Sequence, residues 1–204
     1  MMLRRALFPV LLGLCPLAAG AEVRALLVGV SDYLLLDADL KGPSQDAALM
    51  AEALVARGVA ARDIVVLASE DAGLPQGSYA GAPVRAAILA QMASVAAVSG
   101  PGDTVVFYFS GHGAEAPDLS GDEGGGYDEI LLPADAAGWK GAIGAVENAI
   151  LDDELQDWAQ GVLARGAKLV GLIDACHSAT GFRAVGGAGV PRGLSTEALS
   201  IPGG

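Results

Sequence analysis

The side chains with the most reactive chemistry fall in two short stretches. LIDACHSATG, residues 172–181, runs from apolar residues into Asp174, Cys176 and His177. FYFSGHG, residues 107–113, ends on His112 between two glycines. The chain has two cysteines and two histidines in all, so one of each at the ends of these apolar runs needs a reason. A buried cysteine acting as a small hydrophobe is the plain alternative. The pairing suits nucleophilic catalysis better: a thiolate attacks a carbonyl carbon and an imidazole protonates the departing amine. The tetrahedral oxyanion then needs fixed N–H donors, for which the amides of Gly113 and Cys176 are candidates. His112 is preferred to His177 as the thiol's partner, because a side chain next to the nucleophile on a turn points away from it. A zinc site is disfavoured, since these few ligands in loops lack the usual spacing.

The surrounding elements must bring His112 and Cys176 together. VRALLVGV (23–30), DIVVLAS (63–69), DTVVFYFS (103–110) and KLVGLID (168–174) are short apolar runs of the kind buried in a parallel sheet. Between them, residues 42–58, 82–100 and 152–166 have helical spacing. The first two carry Pro near the front and Gly behind, and the third carries acids in its first turn. Strands alternating with helices predict right-handed crossovers and a sheet covered on both faces. Ligand sites in such sheets lie beyond the carboxyl ends of the strands, where FYFSGHG and LIDACHS both end. Residues 114–150 read as a long loop.

With 204 residues, 52% hydrophobic and 18% charged, the chain suits one substantial core rather than two. The net charge of −12 disfavours nucleic acid and anionic membrane surfaces, which need clustered Lys and Arg. It is compatible with cationic substrates or a divalent cation. Residues 1–21 have a basic start at Arg4 and Arg5, an apolar run and Ala19-Gly20-Ala21, the pattern of a secretory signal cut after Ala21. Cleavage would remove Cys15, leaving Cys176 as the sole thiol of a secreted or periplasmic protein without an internal disulfide. No later apolar run is long enough to span a bilayer.

FYFSGHG followed by DACHS resembles the paired motifs of the caspase-like cysteine peptidases, specifically the metacaspases and their bacterial relatives. RALLVGVSDY, QDAALMAEALVARG, GDEGGGYDEILLPAD and LDDEL appear in that family's order, over about residues 23–182. The resemblance implies a three-layer α/β/α sandwich around a mostly parallel sheet, with Cys176 as nucleophile and His112 as its catalytic partner. Caspases carry Gln two residues before the nucleophile and cut after Asp. Asp174 stands there instead, as in metacaspases, which cut after Arg or Lys. A carboxylate so placed can pair with a guanidinium or ammonium. The resemblance adds Asp46 and Ser110 to that pocket.

The chemistry requires no cofactor. The resemblance implies calcium as an activator, held by Asp128, Asp152 and Asp153. A solvated glycine-rich loop at 118–129 is the alternative, and Arg183 falls where the family has another acidic ligand. The chain is expected to divide into a signal at 1–21, a peptidase domain at 22–182 and a flexible tail at 183–204. The small-subunit strands that the family adds after the cysteine are not recognisable in that tail. Two functions therefore stand side by side. One is an exported endopeptidase cutting peptides and proteins after Arg or Lys; the other is a caspase-fold interaction module that is inactive without a small-subunit-like partner. For the endopeptidase, Arg183 and Arg192 are candidate self-cleavage sites, with Arg192 favoured for its longer tether.

Overall fold

A computed structural model describes residues 20–71, 73–118, 121, 126–175 and 193–202. In chain order the elements are β1 (Val23–Gly29), α1 (Pro43–Ala56), β2 (Ile64–Ala68), β3 (Tyr79–Gly81), α2 (Arg85–Val98), β4 (Thr104–Ser110), β5 (Gly113–Pro117), β6 (Tyr127–Leu131), β7 (Trp139–Lys140), β8 (Ala145–Val146), β9 (Ile150–Leu151), α3 (Asp152–Ala164) and β10 (Lys168–Asp174). The main sheet has five parallel strands in the order β10-β4-β1-β2-β3.

Strand pleating sorts the apolar residues between two layers, because successive side chains face opposite sides. Ala25, Leu27, Val66, Val106 and Tyr108 pack with Ala47 and Ala51 of α1. Leu26, Val28, Val105, Phe107 and Phe109 pack on the other face with Ile88, Met92 and Val95 of α2 and Val162 of α3. This is the expected α/β/α sandwich. Local chemistry fixes where the helices begin. Pro43 opens α1 in the first turn, where its missing N–H costs nothing. The α2 entry is held by Asp135, whose carboxylate accepts the Arg85 N–H at 2.8 Å. At α3 the Glu154 carboxylate accepts the Leu151 N–H at 3.2 Å and also pairs with the Arg85 guanidinium.

The main sheet is tied at its amino end by Asp103. Its carboxylate accepts the N–H of Glu22 at 2.9 Å and of Gly100 at 3.0 Å, and pairs with Arg24 at 2.6 Å. The Glu22 amide foremost, then Gly100 and Arg24, holds the Asp103 carboxyl below its usual range.

Two stretches differ from the sequence reading. The region read as a loop at 114–150 folds instead into an antiparallel sheet, β5-β6-β9, with a β7-β8 hairpin beside it. Each added strand has five residues or fewer, too short for alternation to stand out. The tail read as flexible is also seated in part. Within residues 193–202, Leu199 is fully buried and Ile201 is 7% exposed, and burying each such side chain contributes roughly 1.5–3 kcal/mol. The Trp139 N–H donates to the Leu199 carbonyl at 2.7 Å.

Candidate active site

Strand register assembles one half of the site. Ser110 ends β4 and is aligned with Gly29 of β1 on one side and Asp174 of β10 on the other. Aligned residues of neighbouring strands face the same side, so Ser110 and Asp174 both face the α1 layer. Asp46, in the first turn of α1, meets them there: the Ser110 hydroxyl donates to its carboxylate at 3.3 Å. The three residues assigned to a cation-binding pocket are thus neighbours, drawn from two strands and a helix.

Gly29 makes that possible. A Cβ on Gly29 would lie 2.4 Å from the Pro43 carbonyl oxygen and 3.0 Å from the Ser44 Cα. Only a residue without a side chain lets the start of α1 sit so close over the end of β1. Ser44 secures the approach, its N–H donating to Ser31 Oγ at 3.0 Å and its hydroxyl lying 2.9 Å from the same oxygen.

His112 lies just past β4 and is 5% exposed. Its backbone N–H donates to the Tyr33 hydroxyl at 2.7 Å, and the two rings sit 5.1 Å apart, tilted by 44°. Its Nε2 is 2.8 Å from the carbonyl oxygen of Ala38. A carbonyl only accepts, so Nε2 carries the proton in this contact, and Nδ1 is the nitrogen on the other side of the ring. A Cβ on Gly111 would come within 3.1 Å of the Tyr33 hydroxyl and the Phe109 ring. That glycine lets the chain turn tightly against Tyr33. Gly113 opens β5, so its backbone is fixed by the small antiparallel sheet.

Cys176 and His177 lie outside the described residues, as do Arg183 and Arg192. Asp174, two residues before Cys176, is within them, and its carbonyl accepts the Gly111 N–H at 3.4 Å. The turn carrying His112 and the strand leading to Cys176 are therefore joined at their carboxyl ends. Tyr33, Gly29 and the Ala38 carbonyl were not singled out from sequence. Tyr33 stands in a stretch that carried the family resemblance, which was the available signal; a backbone carbonyl leaves none.

The acids read as metal ligands are split. Asp128 and Asp153 line a cavity of about 670 Å³ together with residues 143–149, whereas Asp152 is not among its lining residues. Arg85 lines the same cavity, a cation where calcium would need anionic oxygens. Among the described residues no three His, Cys, Asp or Glu side chains gather as a metal site. A calcium ion held by Asp128 and Asp153 would need further oxygen ligands. None of Asp46, Ser110, His112 or Asp174 lines this cavity, so its size does not mark it as the reactive centre. Among the described residues no helix is long and apolar enough to cross a membrane.

Comparison with known proteins supplies the family. Residues 23–184 match the family described as metacaspase, peptidase C14 domain. Metacaspase-1 of Cryptococcus neoformans is 36% identical over 158 residues, covering 77% of this chain and 32% of that protein. Metacaspase-1A of Aspergillus terreus is 34% identical over 155 residues, covering 76% and 35%. The chain thus spans about a third of the length of these relatives. The crystal structure of protein GSU0716 from Geobacter sulfurreducens superposes with a TM-score of 0.61 at 23% identity, covering 87% of this chain and 59% of that one, which is a likeness of fold. With a matching family description over most of its length and a His112 turn and β10 edge arranged as described, the chain belongs to the metacaspase family of peptidases.

Proposed function

We propose that this protein is an exported cysteine endopeptidase that cuts polypeptides after Arg or Lys. The observation that carries the reading is the convergence of Asp46, Ser110 and Asp174 at the sheet edge beside His112. A carboxylate-lined pocket recognises a guanidinium or ammonium through charge-assisted hydrogen bonds.

In this reading the Cys176 thiolate attacks the carbonyl carbon following the bound cationic side chain. The carbonyl π electrons move to oxygen, where the amides of Gly113 and Cys176 stabilise the charge. His112, held by Ala38 through Nε2, passes a proton from Nδ1 to the leaving amine as the C–N bond breaks. Water then hydrolyses the thioester, with His112 taking its proton, and the thiolate is regenerated. Replacing Cys176 with Ala should abolish turnover of Arg-terminated peptide reporters, and His112→Ala should slow it by about 10²–10⁴-fold. Unchanged turnover in Cys176→Ala would refute the mechanism.

Export rests on the basic, apolar and small-residue pattern of residues 1–21, and amino-terminal sequencing of the mature protein should begin at Glu22. Calcium enters this reading as an activator only. Asp128 and Asp153 would offer oxygens from one cavity, with further ligands required from outside the described residues. A rise in melting temperature on adding calcium, lost in Asp128→Asn, tests that role.

A second reading is favoured by β10, which lies at the edge of the main sheet among the described residues. Val170, Leu172 and Ile173 on it are 41–49% exposed, and an apolar edge of this kind invites a further strand. A partner-dependent module would gain activity when co-expressed with a small-subunit-like region that adds to this edge. Full activity of the 204-residue protein alone would dismiss this reading.

A further inference from the structure

Residues 193–202 return to Gly113, whose backbone amide the proposed chemistry uses. Gly193 pairs in parallel with Gly113, and the Leu194 N–H donates to the Gly113 carbonyl at 3.0 Å. Leu194 packs against the main core. Downstream, the chain coils into a turn: Leu199 N–H to Ser195 carbonyl at 3.3 Å, Ile201 N–H to Thr196 carbonyl at 2.9 Å. Leu199 is fully buried and Ile201 nearly so. Gly138 is shaped to this turn, since a Cβ there would sit 3.1 Å from the Leu199 carbonyl oxygen.

We propose that residues 193–201 are a built-in strap lying in the groove that receives the leaving side of a substrate, so that the protein competes with its own substrates. The inference rests on the peptidase reading in one respect: Gly113 is taken as an oxyanion donor. The carbonyl under attack then lies against the Gly113 amide, and the next residue of the substrate runs alongside Gly113. Gly193 holds that place. The residue before it in sequence is Arg192, of the type after which the pocket is proposed to cut. The strap also indicates what the groove takes on its leaving side: a small residue alongside Gly113, then an apolar residue donating its N–H to the Gly113 carbonyl. Because Leu199 and Ile201 lie beyond that point, a cut after Arg192 would leave the strap anchored. Release would require the anchors to leave the core.

Binding tests this without turnover. A fluorescein-labelled peptide, Pro-Arg-Gly-Leu-Ser-Thr, is titrated by fluorescence anisotropy into the Cys176→Ala protein. The same titration is made with Leu199→Ala/Ile201→Ala and, separately, Leu194→Pro added. Leu194→Pro removes the N–H donated to Gly113 and leaves the buried anchors Leu199 and Ile201 in place. Hydrogen exchange at residues 194–201 reports whether the strap is docked. The strap should be protected in the parent and exposed in the released variants, and the peptide Kd should fall about tenfold on release, one factor of ten in affinity. Two results would overturn the proposal: a strap that exchanges freely in the parent, or a released strap with peptide affinity unchanged or absent. Failure of the peptidase reading appears separately, as lack of hydrolysis by the protein with Cys176 intact.

Discussion

Gly29→Ala should damage both the fold and the site, and by a route that can be followed atom by atom. The added methyl carbon would stand 2.4 Å from the Pro43 carbonyl oxygen, 2.8 Å from its carbon and 3.0 Å from the Ser44 Cα. All three are backbone atoms, so no side-chain rotation relieves the clash. Ordinary contact begins near ~3.5 Å, so the start of α1 must retreat by about 1 Å. Asp46 rides on that turn. Its 3.3 Å contact with the Ser110 hydroxyl already lies at the long end for an O–H···O bond, and such a retreat breaks it.

Overpacking of this kind costs about 1–3 kcal/mol, or a melting temperature lower by roughly 2–12 °C for a chain of this size. In the peptidase reading, a displaced Asp46 weakens recognition of the cationic residue, and each ~1.4 kcal/mol lost lowers kcat/KM about tenfold. The assay pairs thermal melts with steady-state kinetics on an Arg reporter, well below the melting point. Gly171→Ala is the control: it lies on β10, separated from β1 by β4, and a Cβ there meets nothing within 4 Å. If Gly29→Ala melts and binds like the parent, Gly29 does not set the position of α1 and the pocket assignment loses its support.

Tyr33→Phe keeps the ring against His112 but leaves the buried His112 N–H without its acceptor; a cost of about 1–3 kcal/mol in stability and a fall in kcat larger than any change in KM should follow, and unchanged kinetics would remove Tyr33 from the positioning of His112. Asp174→Asn preserves shape and removes a charge, so kcat/KM for Arg substrates should fall roughly tenfold or more; a wild type that prefers Asp-terminated substrates would refute the pocket. Asp103 has a lowered pKa in the fold, so the stability it adds is complete above its unfolded value of about 3.9 and is lost as pH falls through the folded value. Asp103→Asn should therefore lower the melting temperature at neutral pH and flatten its dependence on pH below about 4; an unchanged acid limb would refute that linkage.

How much was legible in the sequence depended on the length and purity of each signal. The strands at 23–29, 64–68, 104–110 and 168–174 are unbroken apolar runs closed by turn or cap residues, and each folds within a residue or two of its expected bounds. The helices were legible for the same reason, with Pro and acids at their starts. The region 113–151 was not, because its strands are short and separated by Gly, Pro and Asp, which is how a loop reads. Asp46 and Ser110 entered by resemblance, and no local pattern links positions 64 residues apart; their meeting depends on Gly29. The Ala38 carbonyl was invisible for a different reason, since any residue there offers one. Leu199 and Ile201 sit in a glycine- and proline-rich stretch whose composition suggests a loose tail. Two apolar anchors were enough to seat it.

The pocket itself is hard to explain as a device for stability. Ser110 is wholly buried, and the acids at its two sides carry like charges in a chain whose net charge is already −12. Gathering carboxylates at one hydroxyl raises the electrostatic energy of the folded chain, and the close approach over Gly29 adds a steric constraint. A fold selected only for packing would place an apolar residue at Asp46, as it does at the neighbouring Ala47 and Ala51. In the peptidase reading, the cationic side chain of a substrate adds a compensating charge. Arginine answers it better than lysine, because a planar guanidinium can reach carboxylates on two elements at once whereas an ammonium is a point charge. Like-charge crowding at the strand ends, against clean apolar pairing through the strand middles, divides site from scaffold, and in the peptidase reading it is the carboxyl edge of the sheet that takes the cationic side chain.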